Sequence, residues 1–168
     1  CGGFSAGDEP DGSGKFIAKV LNNKVVAEAI HDLLDRGGLM LGICNGFQAL
    51  VKSGLLPYGR LGMVTKESPT LFRNDINRHI SQVVSTRVGT VASPWLRSFG
   101  VGDIHSIAVS HGEGKFVVSD QMAEELFRNG QVAFQYVDDK NRPTTDSPWN
   151  PNGSSFAIEG IIDPSGQI

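Results

Sequence analysis

Apolar and polar positions alternate along the chain in two different rhythms. From Phe16 to Arg36, apolar residues fall at Phe16, Ile17, Val20 and Leu21, then at Val25, Val26, Ala29, Ile30, Leu33 and Leu34. Spacings of three and four predict helix, interrupted near Asn22-Asn23 and stopped by Gly37-Gly38. Leu39 to Ile43 is a short continuous apolar run, which predicts a buried parallel strand. Gly46 to Ser53 returns to helical spacing and ends at Gly54. Strand, sharp turn and helix within one short stretch is the layout of an α/β domain with a parallel sheet.

Further along, the rhythm shifts towards period two. His79 to Val88 and Asp103 to Ser110 alternate in part, and Lys115 to Ser119 reads as a short strand. Asp120 to Gly130 reads as a helix, with Asp120 as N-cap and Gly130 beyond its end. Gln131 to Val137 is a strand, Asp138 to Gly153 a polar turn-rich loop, and Ser155 to Ile162 a last strand. No internal repeat or composition break divides residues 1–168, so one domain is expected. Its first residues are loop (Gly2 to Lys15), and DPSGQI reads as a turn entering another strand. Both ends therefore read as cut through a larger domain.

Composition narrows the function classes. The 168 residues suit one domain with a real core, and a formal net charge of −3 points away from nucleic acid and anionic membranes as main partners. No apolar run approaches the roughly 18 residues of a membrane span, and the first ten residues lack the pattern of a secretory signal. The two cysteines, Cys1 and Cys44, make no disulfide framework; a reducing cytoplasmic setting fits them best. The 21 glycines come in short clusters, as tight turns require.

Chemistry concentrates at Cys44. Gly42-Ile43-Cys44-Asn45-Gly46 is G-x-C-x-G, the cysteine version of the nucleophile elbow. A strand-to-helix bend there presents the side chain, offers the next N–H to an oxyanion, and favours thiolate through the helix N-terminus. The alternative is a buried structural cysteine. A second oxyanion donor must come from another loop; Gly2-Gly3 is the candidate, a plain turn its alternative. His111-Gly112-Glu113 is the one His-x-Glu pair present. His31, on a helix among apolar residues, reads as a partly buried surface residue. His79 and His105, in or beside strands, read as solvated or hydrogen-bonded.

Other motifs fail on inspection. Glu9 stands where a phosphate loop needs its first glycine, and Phe16 follows Lys15. Asp8, Asp11 and Ser13 lack the EF-hand order. Asn152-Gly-Ser is a glycosylation triplet without a secretion signal. No Cys/His cluster suggests a metal, and Trp95 and Trp149 read as packing residues.

CGGFSAGD, LGICNGFQAL, SHGEGKF and NPNGSSFAIEGIIDPSGQI, in this order, resemble the glutamine amidotransferase domain of phosphoribosylformylglycinamidine synthase. The resemblance implies the triad-type (class I), flavodoxin-like three-layer α/β fold with a mixed, mostly parallel sheet. It implies that Cys44 attacks the side-chain amide of glutamine and releases ammonia, water then hydrolysing the thioester. The ammonia would pass to an ATP- and Mg-dependent synthetase domain, on the same chain or a separate subunit, which makes the amidine; no cofactor is implied in this domain. Asn45 and Gly2-Gly3 match the oxyanion donors. Gln48 matches a residue that holds substrate glutamine, and Ser110, His111, Gly112 and Glu113 match a loop near that pocket. LFRND (Leu71 to Asp75) matches a segment near the site with no role assigned. The family's own His-x-Glu lies beyond the strand that DPSGQI enters, so SHGEG falls in the wrong place for it, and residues 1–168 alone are not expected to hydrolyse glutamine. The rival readings are another α/β cysteine hydrolase or isomerase, and a non-catalytic module of the same fold.

Overall fold

The computed structural model describes Gly2, Gly3 and residues 12–168. Cys1 and residues 4–11, with Asp8, Glu9 and Asp11 among them, lie outside the described residues.

Two helices come first, α1 (Lys15–Leu21) and α2 (Lys24–Asp35). The expected break falls between them, because the Asn23 side chain accepts from Val25 N–H and restarts the helix as an N-cap. Gly37, at φ 79°, ends α2. Next come α3 (Asn45–Ser53), closed by Gly54 at φ 88°, and the short turn α4 (Leu55–Tyr58). Strands follow: β1 (Thr70–Phe72), β2 (Ile80–Val88), β3 (Ile104–His111) and β4 (Lys115–Val117). Helix α5 (Asp120–Arg128), β5 (Val132–Tyr136) and β6 (Ile158–Ile161) complete the order. Ser119, one residue before the expected Asp120, is the N-cap of α5, its hydroxyl accepting from Met122 N–H.

The architecture is mixed α/β, as expected. The strand pairing needs correction: every ladder among the described residues is antiparallel. One sheet has the order β3-β2-β5-β6, and β1 pairs with β4. The parallel strand expected at Leu39–Ile43 is extended chain without a ladder. Its one main-chain bond to a distant segment is Met40 N–H to Gln167 C=O at 2.9 Å, and Ile43 is left 56% exposed. An apolar run reports that a segment wants burial, but a strand exists only where a neighbour supplies hydrogen-bond partners. Among the described residues no strand pairs with it.

The main core lies where α3 meets the strands. Leu50, Val51 and Leu55 pack with Leu71, Phe116, Leu126, Ile158 and Ile168. Phe47 stacks on Phe116 with ring centroids 6.4 Å apart. The start of α1 lies directly on α3: a Cβ at Gly14 would sit 2.6 Å from Ala49 N. Burial of this kind is worth roughly 25 cal/mol per Å² of apolar surface. It fixes α3, and with it the turn that carries Cys44, against the β1/β4 pair.

Candidate active site

Cys44 occupies the N-cap of α3 at φ 55°, ψ −114°. This is a conformation that non-glycine residues rarely adopt and that marks functional turns. The bend is close-packed behind it. A Cβ on Gly42 would lie 2.5 Å from Leu50 Cδ1 and 2.8 Å from Phe47 N, so the position admits only glycine. The Cys44 side chain is exposed and is not among the core residues. Gly2 abuts it: a Cβ there would lie 2.9 Å from Cys44 Cβ. Gly3, at φ 109°, has open space instead. Asn45 opens the first turn of α3 and is buried.

Cys44 faces a cavity of about 140 Å³ whose walls include Phe47, Gln48, Ser110, His111, Tyr136 and Glu159. Gln48, one turn along α3 from Cys44, is only 4% exposed. Its Nε2 donates to the Glu113 carbonyl oxygen at 2.6 Å, and its Oε1 has no partner among the described residues. A buried amide oxygen with nothing to accept from is a polar group reserved for a donor. The sequence elements expected to meet, the elbow and the SHGEG loop, therefore do meet. Gly112 sits between them and Asn74, its carbonyl accepting from Asn74 N–H at 3.0 Å.

The His-x-Glu pair within that loop is not a His–carboxylate dyad. Glu113 Oε2 accepts from Ser13 N–H at 2.8 Å, and Oε1 lies 3.9 Å from Arg73 Nε. The His111 ring is partnered instead by Asn74, with Nδ1 3.1 Å from Asn74 Oδ1. Burial holds the His111 pKa below its usual value; its main-chain hydrogen bond opposes this, and nearby His79 adds to the lowering. Burial also pushes the Glu159 carboxyl up to about 7 and raises Tyr136, to which Glu159 adds.

Two asparagines unassigned from sequence stand behind the loop. Asn74 lies in LFRND and Asn152 in NPNGSS. Asn152, fully buried, donates from Nδ2 to Gly114 C=O (2.8 Å) and Tyr136 Oη (3.0 Å), and its Oδ1 accepts from Ser154. That burial also removes the glycosylation triplet from consideration. A legible signal was present, since polar side chains crowded into a Pro/Gly turn commonly bond the backbone. Which backbone they bond was not legible. Of the remaining histidines, His31 Nε2 accepts from Leu61 N–H at 3.3 Å, His79 Nε2 lies 2.9 Å from Ser110 Oγ, and His105 meets Phe99 edge-on. Trp95 donates from Nε1 to Met40 C=O. Among the described residues no group of three or more His, Cys, Asp or Glu is placed to hold a metal ion. No helix among them is long and apolar enough to cross a membrane.

Over residues 1–168 the sequence matches the family described as CobB/CobQ-like glutamine amidotransferase domain. The chain belongs to this family. The amidotransferase chain is 33% identical to phosphoribosylformylglycinamidine synthase subunit PurQ of Gloeobacter violaceus, covering 99% of this chain and 64% of that protein. It is 34% identical to PurQ of Methanococcus maripaludis (99% and 60%) and 35% identical to PurQ of Koribacter versatilis (96% and 62%). The structure of PurLQS from Thermotoga maritima superimposes with a TM-score of 0.70 at 30% identity, over 99% of this chain and 62% of that one. The amidotransferase chain thus spans less than two thirds of the length of these relatives.

Proposed function

We propose that this chain is the glutaminase portion of phosphoribosylformylglycinamidine synthase, acting in purine biosynthesis in the cytoplasm. The observation that carries the reading is Cys44 held at φ 55° on a glycine-backed elbow, facing a cavity shared with Gln48 and the SHGEG loop. Family membership and the PurQ relatives agree with it.

In this reading the Cys44 thiolate attacks the side-chain amide carbon of glutamine. The Asn45 N–H and an N–H of Gly2 or Gly3 stabilise the oxyanion. Preorganised donors of this kind are commonly the largest single contribution to such a step. The C–N bond breaks, ammonia leaves with a proton, and water cleaves the glutamyl thioester to glutamate and free thiol. The unpartnered Gln48 Oε1 accepts from a substrate N–H, and residues 110–113 close the pocket. No His–carboxylate dyad faces Cys44 among the described residues, so the proton relay is assigned to the His-x-Glu pair that the family resemblance implies. The ammonia is consumed by an ATP- and Mg-dependent synthetase portion, which completes a carbon–nitrogen ligase; this domain itself carries no cofactor.

The test uses the full-length enzyme with its synthetase portion. Cys44→Ala is expected to abolish glutamine-driven synthesis and to leave ammonia-driven synthesis in place. Glutamine-driven turnover surviving in that variant would overturn the proposal.

A further inference from the structure

Asn74 is 1% exposed and uses every hydrogen-bonding position it has. Its Nδ2 donates to Arg78 C=O at 3.0 Å and to His111 C=O at 2.8 Å. Its Oδ1 accepts from Gly114 N–H at 3.0 Å and faces His111 Nδ1 at 3.1 Å. Its main-chain N–H donates to Gly112 C=O. Four of these five contacts reach residues 111–114, yet Asn74 itself does not line the Cys44 cavity.

The arrangement decides a proton position. With both Nδ2 hydrogens committed to carbonyl oxygens, the atom facing the imidazole is the amide oxygen, which only accepts. His111 must therefore carry a proton on Nδ1, and in the neutral ring this leaves the lone pair on Nε2. Gly114 lies against the ring so closely that a Cβ there would come within 2.3 Å of Cε1.

We propose that Asn74 is a positioning residue of the glutamine site, holding His111 as the Nδ1–H tautomer and fixing the 110–114 loop over α3. The proposal rests on the glutaminase reading for its consequence, though not for its geometry. A neutral His111 with a free Nε2 lone pair accepts from a donor in the pocket; an imidazolium would repel the substrate's ammonium group. The titratable and charged groups around His111 are His79 ahead of β2, Glu113 on its own loop, and Asp75 and Lys115 paired at the loop's foot. Cys44, Tyr136 and Glu159 face it across the cavity.

Two Cys44-directed reagents test this in the full-length enzyme: a chloroketone analogue of glutamine, which needs the pocket, and iodoacetamide, which does not. Their rate ratio cancels the ionisation of Cys44 itself. Asn74→Ala is expected to lower the ratio by about tenfold, the scale of one lost charge-assisted hydrogen bond. Iodoacetamide labelling and ammonia-driven synthesis, held within about twofold, show that the fold survives. Asn74→Asp keeps the shape and puts a carboxylate beside Nδ1, which raises the His111 pKa. The ratio should then fall with acidification at a higher pH than in the wild type. Superimposable ratios and pH profiles in wild type and both variants would overturn the assignment. Imidazole nitrogen shifts of His111 decide the tautomer without any substrate: an Nε2–H ring in the wild type also overturns it. A wild-type Cys44 indifferent to the chloroketone defeats the glutaminase reading instead, while the nitrogen shifts still judge Asn74.

Discussion

The Gln48 side chain donates to the Glu113 main-chain carbonyl at 2.6 Å, so the helix capped by Cys44 is tied to the loop that faces it. The bond joins residues 65 apart in sequence. Its amide oxygen stays unpartnered inside the cavity. One side chain thus has a structural half and a cavity-facing half.

Substitutions at Gln48 should separate the two halves. Gln48→Ala loses both, and is expected to lose about 1–3 kcal/mol of stability, the usual penalty for stranding a buried carbonyl. The KM for glutamine should rise. Gln48→Glu sets a carboxylate against a carbonyl oxygen, removing the donor, and should be the more damaging. Urea unfolding together with glutamine-dependent kinetics checks both, with ammonia-driven synthesis as the control.

Gly114→Ala should displace the His111 ring, because the added Cβ meets Cε1 at 2.3 Å and Nδ1 at 2.4 Å. The expected loss is about 1–3 kcal/mol, as for other overpacked interiors. Labelling of Cys44 by a glutamine analogue should slow along with it. An alanine variant with wild-type labelling would show that the ring's place is unimportant.

Asn152→Ala would remove the Nδ2 bonds to the Gly114 carbonyl and Tyr136 Oη and the Oδ1 bonds from Ser154, all in a fully buried site. Stability should fall by about 3 kcal/mol, more than for a single exposed hydrogen bond. Thermal unfolding reads this directly. Asn152→Asp, which sets a buried carboxylate against the Gly114 carbonyl, should be at least as damaging as alanine.

Two groups give stability a pH dependence of opposite sign. His111 has a folded pKa below 6.5. Below that pH the unfolded chain takes up a proton that the folded one resists, and stability drops with acidification. His111→Gln should flatten that acid limb. Glu159 moves the other way, from 4.5 to about 7. Between those values the folded chain keeps a proton that the unfolded chain has released, so stability declines as pH rises through the window. Glu159→Gln should therefore stabilise by up to about 3 kcal/mol near pH 8 and by little near pH 5. Urea midpoints at the two pH values decide it.

Much of the amidotransferase chain was determined by local sequence. Helical spacing, the Asn23 cap and the Gly54 stop are short-range effects, and they fall where the pattern places them. G-x-C-x-G likewise encodes its own bend, since the glycine at 42 is demanded by atoms only four to eight residues away. Tertiary structure decided what local pattern cannot carry. It left Leu39–Ile43 extended but unladdered, because a strand's identity depends on a neighbour. It separated His111 from Glu113 despite their adjacency, turning one to Asn74 and the other to Ser13. It made buried hubs of Asn74 and Asn152, because a buried asparagine's role is set by whichever backbone groups the fold leaves without partners, and those groups lie some 40 residues away in sequence.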